Sequence, residues 1–153
     1  MAHVRKKISQ SRIKPISRLL IANRGEISRR INRTAHQMGI STVAIYADGD
    51  VDAPFVREAD FAIALRGETS VDTYLHMEKV LEACKTSGAD AIHPGYGFLS
   101  ENSGFAEAVG AAGFVWVGPS PEAIASMGDK LSAKHLMEEA EVPTLPGRQI
   151  REN

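Results

Sequence analysis

The stretch Ala91 to Asn102 reads A-I-H-P-G-Y-G-F-L-S-E-N. Ala91 and Ile92 open it as a short apolar strand, which Pro94 breaks by fixing one backbone angle and removing a donor. Gly95 and Gly97 flank Tyr96 in a loop and permit positive φ and close approach of another group to the main chain. A helix is expected to start near Ser100 to Asn102. Strand, glycine-rich loop and helix start, in that order, are what an α/β fold places at the carboxyl edge of its sheet, where ligands bind. A tight crossover turn with no ligand has the same spacing.

The flanking chain repeats the pattern. Arg18 to Asn23 (R-L-L-I-A-N) is an apolar run ended by the polar turn Asn23 to Glu26. Ile27, Ile31, Ala35 and Met38 then recur at helical spacing, with Arg29, Arg30 and Arg33 off that line. Gly39 stands where a left-handed cap needs glycine, and Thr42 to Tyr46 is the next strand. A short helix over Asp52 to Ala59 and a short strand over Phe61 to Leu65 follow. Ser70 to Thr73 supplies start signals for a helix that packs Met77, Val80, Leu81 and Cys84. After the opening stretch, a helix buries Phe105, Ala106 and Val109, Gly113 ends it, and Phe114 to Val117 is the last strand. Three times the chain runs helix, glycine, strand. That alternation predicts an α/β fold, three-layered and Rossmann-like, with a mostly parallel sheet between helices. Beyond Gly118-Pro119-Ser120-Pro121, short helices are expected over Glu122 to Met127 and Lys130 to Ala140, with Asp129 as N-cap.

The 153 residues are 43% hydrophobic and 24% charged, an ordinary globular composition with room for one core. No apolar run is long enough to span a bilayer, so no membrane is expected. The single cysteine, Cys84, rules out an internal disulfide and fits a reducing compartment, cytoplasmic or an organellar matrix. The net charge of −1 is unevenly spread. Residues 1–18 hold six of the 18 basic residues and no acid, so they carry +6; the other 12 basic residues face all 19 acids, leaving −7. The basic tail reads as a solvated extension; an organellar presequence or a nucleic-acid arm has similar composition. No nucleic-acid partner is expected.

Three loops hold candidate chemistry. In A-N-R-G-E-I (Ala22 to Ile27) one glycine precedes a glutamate that would repel phosphate, which argues against a dinucleotide site. Arg24 is expected in an ion pair or against a neighbouring segment. In the second loop Tyr96 can hydrogen-bond a substrate carbonyl and Glu101 can position a cation or an amide. His93 reads as a structural histidine before a base. In Met127-Gly128-Asp129-Lys130 the lysine can reach a phosphate or simply lie at the surface. No His or Cys pair has metal-ligand spacing, and no nucleophile–base couple is visible.

I-A-N-R-G-E-I (Ile21 to Ile27), H-P-G-Y-G-F-L-S-E-N (His93 to Asn102), G-P-S-P (Gly118 to Pro121) and M-G-D-K (Met127 to Lys130) stand in the order and spacing of biotin carboxylase. That is the ATP-grasp subunit or domain of the acetyl-CoA, propionyl-CoA, methylcrotonyl-CoA, pyruvate and urea carboxylases. The chain resembles that family from about Arg18 to Gly147. Past the basic extension at 1–17, which has no role in that family, the resemblance implies a Rossmann-like N-terminal domain at 18–120 and a helical segment at 121–153 leading toward an ATP-grasp region that this chain lacks. It implies ATP, Mg2+ and biotin as cofactors of the complete enzyme, with Lys130 touching ATP and Tyr96 and Glu101 facing the biotin and bicarbonate side of the cleft. It also implies partners: the ATP-grasp remainder, a biotin carrier protein, a carboxyltransferase and a possible homodimer.

Catalysis in such a site is electrostatic positioning between two domains, so this one wall is expected to be inactive alone. The chain departs from the family at Gln37, where an acidic residue often pairs across the dimer, and at Phe55 and Phe61, commonly polar positions. A non-catalytic dimerisation or docking module is the alternative expectation.

Overall fold

The computed structural model describes residues 14–128 and 130–145, with backbone alone at 130–132. Five strands form one sheet in the order β3-β2-β1-β4-β5. They are β1 (Arg18–Ile21), β2 (Ser41–Tyr46), β3 (Phe61–Ala64), β4 (Ala91–His93) and β5 (Val115–Trp116). All four pairings are parallel; Leu20 lies opposite Val43 on one side and Ile92 on the other.

The pleat sends alternate β1 residues to opposite faces. Leu20 joins Val43, Ile45 and Ile92 against Val80 and Cys84 of α3 (Met77–Ser87) and Phe105 and Val109 of α4 (Ser103–Ala111). Leu19 and Ala91 turn the other way, toward Ile31 and Ala35 of α1 (Gly25–Gln37), while Ala44 packs on Phe55 and Val56 of α2 (Pro54–Arg57). The result is the expected three-layer α/β fold. Phe55 fills core, whereas Phe61 stays 43% exposed on the edge strand beneath the Arg18 guanidinium, 4.2 Å above its ring. That contact shields an edge aromatic with a cation.

The glycine stops behave as expected: Gly39, Gly88 and Gly113 have φ of +73°, +67° and +86°, each ending a helix just before a strand. Several boundaries moved for local reasons. Met38, expected on the buried line of α1, is 68% exposed because it is already the cap residue. The helix expected from Ser70 begins only at Met77. Thr69 holds residues 69–73 as a separate turn, accepting from the Asp72 amide and receiving the Thr73 hydroxyl at its carbonyl. The helix after the glycine loop starts at Ser103, where the Asn102 side chain caps the Phe105 amide at 2.9 Å. The helix expected over Asp52 to Ala59 shrinks to Pro54–Arg57, with a 3-10 turn at Asp48–Asp50 before it.

The described end of the basic extension, residues 14–17, packs on the domain. Ser17 donates its amide (2.9 Å) and its hydroxyl (2.5 Å) to Asp90, Lys14 reaches the Gly113 carbonyl at 3.3 Å, and Ile16 joins the α1 face of the core. Residues 1–13, Asp129 (expected as an N-cap) and 146–153 lie outside the described part. Downstream, α5 (Pro121–Gly128) and α6 (Lys130–Glu139) take the places expected for two short helices.

Candidate functional site

Strand order reverses between β1 and β4, since β2 and β3 lie on one side of β1 and β4 and β5 on the other. At such a switch point the two following loops diverge and leave a crevice at the carboxyl edge. The loops concerned are Ala22 to Gly25 and Pro94 to Phe98, the two stretches singled out in the sequence.

Asn23, only 2% exposed, joins them. Its side-chain nitrogen donates to the Pro94 and Tyr96 carbonyl oxygens, both at 2.8 Å, and its Oδ1 accepts the Arg24 amide at 2.9 Å. Every hydrogen-bonding group of a buried amide is thereby used across the gap between strands. Gly95 lies against it with φ +66°. The Gly95 amide donates to His93 Nδ1 at 3.0 Å, so His93 is a structural residue of the loop, as expected. Burial holds the His93 imidazole below its ordinary value.

Tyr96 is 59% exposed, and its hydroxyl donates to the Glu26 carboxylate on the first turn of α1. That contact pushes the phenol's pKa above its ordinary value, so the hydroxyl keeps its proton. The Tyr96 hydroxyl, expected to hydrogen-bond a substrate carbonyl, thus donates its hydrogen bond to Glu26.

Arg24 forms the expected ion pair, 2.5 Å from Asp50. Asp50 also accepts the Tyr74 hydroxyl at 2.5 Å, and that oxygen accepts the Ala47 amide at 3.0 Å. The Tyr74 ring stacks on Phe98 at 5.2 Å. Phe98 sits at φ +45°, a region ordinary residues avoid, so Tyr74 braces the strained end of the glycine loop.

Glu101 is exposed beyond the loop, and Lys130 stands at the first position of α6, its side chain outside the described residues. The structure therefore brings Tyr96 together with Asn23 and Glu26. Beside Tyr96 a groove of about 440 Å³ runs along α1, floored by Leu19, Ile31 and Ala35, with Arg30 and His93 also in its wall. Among the described residues no three His, Cys, Asp or Glu side chains converge on a metal-sized space. Sequence reasoning missed Glu26, Asp50 and Tyr74. Only the placement of Glu26 directly behind Gly25 hints at it, and by itself that placement argues only against phosphate.

The biotin carboxylase N-terminal domain family matches residues 15–124. The chain belongs to that family. It is 52% identical over 132 residues to the biotin-dependent acyl-coenzyme A carboxylase alpha3 subunit of Mycobacterium leprae, covering 86% of this chain and 22% of that protein. It is 48% identical to a biotin carboxylase of Halalkalibacterium halodurans, over 87% of this chain and 29% of that one. Among solved structures, the biotin carboxylase domain of a single-chain bacterial carboxylase superimposes with a TM-score of 0.81 at 44% identity, covering 86% of this chain and 31% of that chain. The urea amidolyase of K. lactis does so with 0.84 at 48%, covering 88% and 8%. The chain thus spans less than a third of each of these relatives. It corresponds to the N-terminal domain of a biotin carboxylase.

Proposed function

We propose that this chain supplies the N-terminal wall of a biotin carboxylase cleft, in which MgATP activates bicarbonate and the carboxyl group passes to biotin on a carrier protein. The observation that carries this reading is the clamp at the switch point. Asn23 ties the N-R-G-E loop to the H-P-G-Y-G loop, so an exposed tyrosine is held rigidly at the carboxyl edge. A preorganised polar group on a rigid element is what a positioning wall requires. Tyr96 and Glu101 face the biotin and bicarbonate side, Lys130 meets ATP from the start of α6, and the carrier and carboxyltransferase are the onward partners. Residues 18–120 act as the folded unit and 121–153 as the passage toward the ATP-grasp part. When bound, MgATP supplies the phosphoryl group; this chain's own residues orient and exclude.

The test is bicarbonate-dependent ATP cleavage with free biotin, on the chain alone and after adding a separately made ATP-grasp remainder. Activity only in the mixture, reduced by Lys130→Ala, is the expected result. A silent mixture of folded, associated pieces would overturn it in favour of a docking module. Activity of the chain alone would refute the two-wall argument.

A further inference from the structure

We infer that Glu26 is a positioning residue for Tyr96: by accepting the phenol's hydrogen bond it leaves the phenol oxygen free to act as an acceptor, matched to a ligand N–H such as those of a cyclic urea. This rests on reading the switch-point edge as the biotin side.

A tyrosine hydroxyl has one proton to give and lone pairs to receive with. The backbone that carries Tyr96 has little freedom, because its carbonyl is held by Asn23 and the preceding amide by His93. The direction of the hydroxyl hydrogen is then the remaining variable, and Glu26 accepts it in a charge-assisted hydrogen bond. Glu26 has another natural partner in Arg30, one turn on along α1, yet the two form no ion pair among the described residues. The carboxylate is directed at Tyr96 instead. A carbonyl approaching this oxygen would set lone pairs against lone pairs, whereas an N–H finds an acceptor strengthened by the carboxylate behind it. The two N–H groups of a ureido ring fit that demand. Glu26 is exposed on the first helical turn, so its replacement leaves the core intact.

Two measurements separate the pair from its use. In the 153-residue chain, 13C-labelled tyrosine titrated by NMR follows Tyr96 beside Tyr46 and Tyr74. Glu26→Ala, which removes the hydrogen-bond acceptor and its charge, should lower the phenol's pKa toward the ordinary 10.0, and Glu26→Gln, which removes the charge alone, should lower it less. No change would overturn the pairing. In the mixture with the ATP-grasp remainder, Tyr96→Phe and Glu26→Ala should each raise the KM for biotin about tenfold, the worth of one good hydrogen bond, with kcat little changed. Glu26→Gln, which still offers an acceptor, should restore most of that loss. The double variant Tyr96→Phe/Glu26→Ala should be no worse than Tyr96→Phe. Additive losses, or a fall in kcat at unchanged KM, would overturn the positioning role. A mixture of wild-type pieces with no biotin-dependent turnover would sink the ureido assignment with the reading beneath it, while the NMR result still judges the Glu26–Tyr96 bond by itself.

Discussion

A Cβ atom built on Gly95 would stand 2.8 Å from the Asn23 side-chain nitrogen, and 3.2 Å from Ile27 Cγ1. The two motif loops are packed so closely that only a hydrogen fits between them. Because Gly95 also has φ +66°, a side chain there is opposed twice, by its own backbone and by its neighbours.

Gly95→Ala should therefore cost about 2–4 kcal/mol, combining left-handed strain with overpacking. Gly97 has the same φ of +66° but nothing within 4 Å, so Gly97→Ala should cost only about 1–2 kcal/mol. Urea unfolding of the two variants checks the difference. Equal losses would mean that Asn23 and Ile27 give way easily.

Asn23→Asp keeps the shape of the clamp but turns its donor into an acceptor facing two carbonyls. We expect a loss of at least about 3 kcal/mol at neutral pH, since buried carbonyls lose their partners and meet a charge. Denaturant melts compare it with wild type; a loss below about 1 kcal/mol would show that the loops hold together without Asn23.

Ser28 is 1% exposed on α1, and its hydroxyl has no hydrogen-bond partner among the described residues. Ser28→Ala should stabilise the chain by about 1 kcal/mol, by removing an unpaired buried polar group and improving helix propensity. A drop in thermal midpoint would point to a partner for that hydroxyl.

The His93 imidazole is held below its ordinary 6.5 by burial, so folding favours its neutral form. Its contribution is fully present above pH 6.5 and is lost as the pH falls through the lower folded value, because the unfolded chain binds the proton first. Asp60 and Asp90 act further down, below their ordinary 3.8: the Thr42 amide outweighs burial at Asp60, and at Asp90 burial is outweighed by the Ser17 and Arg18 donors. Stability measured from pH 7 to 5 should fall, and His93→Asn, which keeps an acceptor for the Gly95 amide, should flatten that slope. An unchanged slope would assign it elsewhere.

Cys84 is fully buried, and burial pushes its thiol up to about 12. It should react with a thiol reagent only as fast as the domain opens, the rate rising with urea. Rapid modification in native buffer would contradict its place in the core.

The fold was largely legible in the sequence because its signals are local. The α1 spacing of Ile27, Ile31 and Ala35 and the glycines at 39, 88 and 113 each act within a few residues of themselves. Where local signals competed, the reading slipped. Ser70 to Thr73 has helix-start chemistry, but Thr69 uses it for a closed turn, and Tyr74 is drawn inward to Asp50 instead of entering the helix. At the site, Tyr96 stood out from its glycines and Arg24 was expected to be paired. The partner of Arg24 was not legible, because nothing within the N-R-G-E turn points to Asp50, 26 residues on.

The sequence alone determined which segments are strands and helices, that the sheet is parallel, and which family the chain resembles. Those properties follow from periodicity, caps and motif order. Only the tertiary structure decided that Glu26 holds the Tyr96 hydroxyl and that Asn23 clamps its loop, contacts that bridge 70 and 73 residues. They exist because the strand order sets β4 beside β1, and no local pattern encodes which distant side chain arrives across that gap.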